Sequence, residues 1–283
     1  RGNNPAVTGQ MEMQFDRYRE VAGINRHSLT REPLASGKDE VGALIAQLRG
    51  DDEGLKISAA QRLSVFRAPE AAPALASLLE DKSREVRVAA AVAMGACGTR
   101  ESVPPLLAAL RTGDPLTAQA AAAALENLTG HKEEFNGFAL PAQRTAQAEK
   151  WQAWFAATNW QSIELALVGR LQDPDRDVVR RAAVALGHIG QDAARDALRT
   201  YVARERERNP YPEWRKSHAG DGARFNSFSP ANPRTLQAAT RSLGYLKDVK
   251  ALPMLAETVA RHSDPATANL FLAEAAVEAM GRI

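Results

Sequence analysis

The densest chemistry in this sequence lies between residues 203 and 225. The stretch ARERERNPYPEWRKSHAGDGARF carries Arg204, Arg206, Arg208, Arg215, Lys216 and Arg224, interleaved with Tyr211, Trp214, His218 and Phe225. Guanidinium and ammonium groups beside aromatic rings can grip phosphates, a nucleic acid or the acidic face of a partner protein. Glu205, Glu207, Glu213 and Asp221 dilute that charge, and the alternating signs of ARERER are those of an exposed helix end. Three uses stay open: a structural loop closing over a rim, a partner-binding loop, or a nucleic-acid contact. For the second, the contact set is Arg208, Tyr211, Trp214, Arg215, His218, Arg224 and Phe225.

Other reactive residues are scattered. Histidines 27, 131, 188, 218 and 262 lie far apart, and none has a partner at metal-ligand spacing. His188 reads as a solvated turn histidine, and Cys97, in the matching turn of an earlier segment, as a small packed thiol without an activating base. Glu133-Glu134 are adjacent, so they do not converge on one substrate. The sequence contains no P-loop, no G-x-G-x-x-G after a strand, no H-E-x-x-H and no G-x-S-x-G. No catalytic residue, metal or cofactor is expected.

Composition narrows the classes. The 283 residues hold 36 basic and 34 acidic side chains, a net charge of +2, which gives no global drive toward nucleic acid or anionic membranes. Hydrophobic residues are 45% and aromatics 6%, so the core must come from Ala, Leu and Val. One cysteine excludes an intramolecular disulfide framework and leaves the compartment open. No run approaches 18 consecutive apolar residues.

A repeat organises the rest. SAAQRL ends at Leu63, AAAVAM at Met94 and AAAAAL at Leu125, each 31 residues after the last. Leu44, Leu75 and Leu106 form a second column, and Leu48, Leu79 and Leu110 a third. The register resumes at Leu186, Leu243 and Met280. A fixed period in the 30s signals stacked helical hairpins. Each unit reads as helix A, a tight turn and helix B. Gly95 with Gly98, and Gly187 with Gly190, mark the turn as a place for left-handed backbone. Pro73, Pro104 and Pro253 sit in the first turn of helix B. Asp114-Pro115, Asp173-Pro174 and Asp264-Pro265 read as N-caps followed by proline at the first helical position.

These residues resemble the HEAT family, especially its short phycobilisome-lyase variety. The pattern D-x-x-x-x-V-R-x-x-A-A-x-A-L-G-x-x-G is met by DPDRDVVRRAAVALGHIG (173–190), with Val179 in the arginine slot, and by DKSREVRVAAAVAMGACG (81–98), with Met94 for leucine. The resemblance implies an all-α fold, a right-handed α-α superhelix of about five to six helical hairpins. It is specific for fold and uninformative for activity; the resemblance extends to lyases that attach bilin pigments, but no residue beyond the repeat supports that chemistry.

The expected organisation is a leader or linker over residues 1–38 and a solenoid over 39–283, with insertions at about 130–159 and 204–233. The first insertion should contain a helix from near Pro141 that packs Ala148, Trp151, Trp154 and Phe155 onto the solenoid. Both ends read as cut, so a fragment of a longer chain is expected.

Solenoid repeats contact only their neighbours and expose an extended surface. The leading expectation is therefore a non-catalytic protein–protein interaction scaffold with a protein partner. An accessory repeat domain of a larger multidomain enzyme is the alternative. A nucleic-acid-binding solenoid is the third reading; nucleic acid is not the expected partner, because the repeats alternate Arg with Asp and Glu.

Overall fold

The computed structural model describes residues 37–208, 233–262 and 269–283. Among them all regular structure is helical. α1 spans Gly37–Leu48 and α2 Glu53–Phe66. The short α3, Ala72–Ser77, is flanked by 3-10 turns at Pro69–Ala71 and Leu78–Glu80. There follow α4 (Arg84–Cys97), α5 (Val103–Thr112), α6 (Pro115–Thr129), α7 (Pro141–Ala157) and α8 (Trp160–Arg170). The last five are α9 (Arg176–Ile189), α10 (Asp192–Glu207), α11 (Arg234–Tyr245), α12 (Leu252–Arg261) and α13 (Leu270–Arg282).

The A helices form a ladder: α2, α4, α6, α9, α11 and α13 each pack on the next, and α1, α3, α5, α8, α10 and α12 each pack against the ladder helix that follows. This is the superhelix the 31-residue register predicts. Its leading column is inside, with Leu63, Met94, Leu125, Leu186 and Leu243 all 0% exposed, and only the last member, Met280, is partly buried. Alanines fill the positions between, so neighbouring ladder helices approach with little side chain in the way. Two glycines complete that approach. A Cβ on Gly187 would lie 2.6 Å from Ser242 Oγ, and one on Gly244 2.6 Å from Ala279 Cα. Ser242 turns the closeness to use by donating to Ala183 O across the seam at 2.8 Å.

Helix ends follow local chemistry, with three departures from expectation. Gly98 and Gly190 do cap α4 and α9, but at φ −65° and −69° they are not left-handed, and Gly95 and Gly187 lie inside the helices. The left-handed positions are Arg67, Lys247 and Gly130. Asp114 caps α6 ahead of Pro115, accepting from Leu116 N and Thr117 N. At the corresponding place before α9 the cap is Asp175 rather than Asp173; Asp173 Oδ1 accepts the Asp175 N–H at 2.8 Å, which turns the chain one step earlier. Asp264-Pro265 lies outside the described residues, and α13 is capped by Asn269. Pro73, Pro104 and Pro253 occupy the first turn of α3, α5 and α12, where the missing N–H costs nothing.

The buried side chains fall into two clusters. One runs from Leu44 to Trp151, the other from Ile163 to Ala279, and the half-buried Trp154 and Trp160 touch both. α7 supplies the join: Trp151 is fully buried, with Ala148 beside it. The ladder also curls, so that turns of the first cluster meet turns of the second. Arg100 Nε donates to Ile189 O at 2.5 Å, and His188 Nδ1 donates to Gly98 O at 3.1 Å.

Candidate functional site

α10 leads to the segment in which the sequence concentrates its basic and aromatic residues. Its last turns are tied on both sides. Arg204 Nη1 donates to Gln172 Oε1 at 2.9 Å, and its guanidinium lies over the Tyr201 ring at 5.5 Å. Arg206 pairs with Glu257 at 2.8 Å and donates to Met254 O at 3.2 Å, while Glu207 receives Arg261 at 2.9 Å. The alternating charges of ARERER therefore link α10 to the α8–α9 corner and to α12. Arg204 and Arg206 are engaged inside the fold and do not belong to a free basic patch. Arg208, which is exposed, stands at the rim of a cleft of ≈ 310 Å³ lined by Gln172, Asp173, Arg176, Arg204 and Glu205. Tyr211, Trp214, Arg215, His218, Arg224 and Phe225 lie outside the described residues.

The aromatic residues of the 130–160 region are committed to packing. His131 stacks on Trp154, centroids 3.9 Å apart and rings within 2° of parallel, and meets Trp151 edge-on at 5.2 Å. Burial lowers the His131 pKa below the usual histidine range, against the pull of Glu133 at 3.7 Å. Phe155 meets Trp160 edge-on at 5.7 Å, and Arg100 covers the Trp160 ring at 5.1 Å. Nothing in the order of residues pairs His131 with Trp154, 23 positions away; the packing of α7 against α5, beside the end of α6, does so.

Glu164 escaped the sequence reading altogether. It is 6% exposed, and its Oε1 accepts from Gln191 N and Ala194 N at 2.8 Å, capping α10 from a different helix. Arg100 Nη2 reaches its other oxygen at 3.3 Å. The local signal that could have exposed it is negative: Gln191 makes no cap of its own for α10.

His188 is not a solvated turn residue. It sits in the last turn of α9 beside Tyr245, and burial, aided by the charge of Arg67, pushes its pKa down to about 4. Cys97 is fully buried, its Sγ donates to Leu63 O at 3.2 Å, and burial pushes its pKa up to about 12. A thiol held that far above neutrality is not a nucleophile. Among the described residues no three His, Cys, Asp or Glu side chains gather to hold a metal ion. No described helix is long and apolar enough to cross a membrane.

The comparison with known families agrees with this architecture. Residues 41–126 match the family of HEAT repeats, and residues 178–203 match the PBS lyase HEAT-like repeat. Both matched stretches are HEAT repeats. The first match spans α1 to α6 and the second α9 with most of α10, so the HEAT ladder is recognised on both sides of the α7 insertion. No curated protein matches the chain. Among solved structures it is similar to the complex of CpcE and CpcF of phycocyanin lyase from Nostoc sp. PCC7120, at 21% identity over 89% of this chain and 79% of that one, TM-score 0.31. It is similar to human deoxyhypusine hydroxylase in complex with glycerol, at 18% identity over 99% of both chains, TM-score 0.34. An engineered protein matches at 18% identity over 86% of this chain and 96% of its own, TM-score 0.28. Superpositions this loose speak to neither activity nor partner. The HEAT solenoid stands as a repeat scaffold.

Proposed function

We propose that this scaffold is a protein-docking module whose specificity resides in the segment inserted between α10 and α11. The supporting observation is the platform from which that segment departs. α10 is held at its end by the Arg204–Gln172, Arg206–Glu257 and Arg261–Glu207 contacts, so Arg208 leaves from a fixed point beside an open cleft. Binding loops carried on rigid elements keep their contacts in register at little ordering cost. Tyr211, Trp214, Arg215, His218, Arg224 and Phe225 follow within seventeen residues of Arg208, a mixture of aromatic anchors and cations of the kind that dominates interface energetics. The occupant of this surface is a protein with an acidic face, because Arg is the cation richest in the segment and pairs best with carboxylates.

Affinity purification with the intact chain, followed by mass spectrometry, tests this reading. Substituting Trp214→Ala together with Arg215→Ala should lose the recovered partner, while Phe138→Ala, on an exposed loop elsewhere, should keep it. Retained binding in the double variant would remove the inserted segment from the account.

A further inference from the structure

We infer that the seam between α6 and α9 is a binding site for a phosphoryl group. Along the ladder, two positions are small. One residue after the leucine column stand Gly95, Gly187 and Gly244; five residues before it stand Ala89, Ala120, Ala238 and Ala275. At the α6–α9 seam both change. Glu126 occupies the glycine position on α6, and Arg181 the alanine position on α9. Neither side chain permits the approach that Gly187 makes to Ser242, and the helices part around a cavity of ≈ 240 Å³. Glu126, Asn127, Lys132, Arg170 and Arg181 line it. This is also where the two clusters of buried side chains divide. Apolar contact has been given up here in favour of charge.

The charge has a definite character. Arg170 donates through Nη1 to Gly130 O, and its remaining donors are uncommitted among the described residues. Lys132 and Arg181 form no ion pair among the described residues, in a chain where Arg87, Arg176 and Arg199 are matched to Asp114, Glu205 and Asp248. Three cations against one carboxylate, Glu126, leave a local excess of two positive charges. A phosphate monoester carries about −1.5 to −2 near neutral pH and offers three acceptor oxygens, which balances that excess. A lone carboxylate would leave it half unbalanced. Two guanidinium forks and one ammonium suit tetrahedral oxygens, and the Asn127 amide adds a neutral donor. The cavity holds one such group with its water, at about 30 Å³ per water molecule. No residue lines both this seam and the Arg208 cleft, so the assignment stands or falls apart from the docking reading.

Calorimetric titration of the intact chain at low salt tests it, with three probes: inorganic phosphate, a phosphoserine peptide, and the same peptide carrying glutamate instead. Arg181→Ala restores the residue that neighbouring ladder helices have, so its thermal melt should match or exceed that of the parent. Saturable binding of phosphate or phosphopeptide is expected, weakened roughly tenfold by Arg181→Ala and further by adding Lys132→Ala, which lies in a loop. A peptide bound more tightly than inorganic phosphate identifies a phosphorylated partner; the reverse order identifies free phosphate or a small phosphorylated molecule. The inference is overturned if the double variant binds as the parent does, if the glutamate peptide equals the phosphopeptide, or if no phosphate-bearing probe saturates.

Discussion

Arg282 Nη2 donates a 2.7 Å hydrogen bond to the carbonyl oxygen of Phe66, joining the last described helix to the end of α2 across 216 positions of chain. Its guanidinium also lies over the Tyr245 ring at 4.4 Å. An open solenoid would let its two ends move independently, since each repeat contacts its neighbours alone. Here the curl of the ladder brings the ends together, and Arg100 with His188 makes two more bridges between the clusters.

Removing that clasp should be measurable. Arg282→Ala leaves Phe66 O without its donor and uncovers Tyr245, at an expected cost of about 1–3 kcal/mol. The readout is the urea midpoint at unchanged slope. Arg282→Lys can reach the carbonyl but lies poorly on the ring, so it should fall between. A midpoint equal to that of the parent would mean the contact contributes nothing.

Two glycine substitutions should act in opposite directions. Gly187→Ala places a methyl 2.6 Å from Ser242 Oγ and 3.2 Å from Ser242 Cα, forcing two ladder helices apart. Overpacking of this kind costs about 1–3 kcal/mol. Gly281→Ala meets nothing within 4 Å and gains up to about 1 kcal/mol of helix propensity. Thermal melts of the pair, side by side, separate close approach from a general intolerance of substitution at helical glycines.

Acid should destabilise the chain through His188. Its pKa is held at about 4 in the fold, below the ordinary histidine value of about 6.5, so the unfolded chain takes up the proton first as pH falls. Stability is therefore complete above about 6.5 and declines toward 4, by up to about 3 kcal/mol. Denaturation at pH 7 and pH 4.5 should show the loss, and His188→Phe, which retains a ring against Tyr245, should show less of it. Asp114 adds a second loss at lower pH: despite burial, the hydrogen bonds from Thr117 and Arg87 bring its pKa down to about 2, so its contribution disappears between about 4 and 2. An equal pH response in parent and His188→Phe would clear the histidine.

Cys97 should be silent in the native protein. A thiol-specific reagent at pH 8 is expected to label it only as fast as the chain opens, and promptly in denaturant, because the sulfur is enclosed and bonded to Leu63 O. Labelling at the rate of a free thiol would contradict the packing of α2 against α4.

How far the residues could be read alone depended on what each position answers to. The columns at Leu63 and Leu44, the prolines of helix B and the cap at Asp114 all follow from spacing and local backbone chemistry, and the structure has them where the register puts them. The glycines illustrate the limit. Their places were legible, but the reason inferred, left-handed backbone, applies at Arg67, Lys247 and Gly130 instead, whereas Gly187 and Gly244 are small because another helix passes within contact. Likewise the charges of ARERER look free in one dimension and are bound to the α8–α9 corner, α9 and α12 in three.

The sequence by itself determined that this chain is a ladder of helical hairpins, because a period of 31 residues and an apolar stripe are properties of neighbouring positions. What the tertiary structure alone decided is the curl: which turn faces which, that Glu164 caps α10, that His188 is half-buried against Gly98, and that Glu126 and Arg181 spread one seam around three cations. Such pairings join residues tens to hundreds of positions apart. They depend on small rotations accumulated at each helix contact, and no local pattern of residue types records that sum.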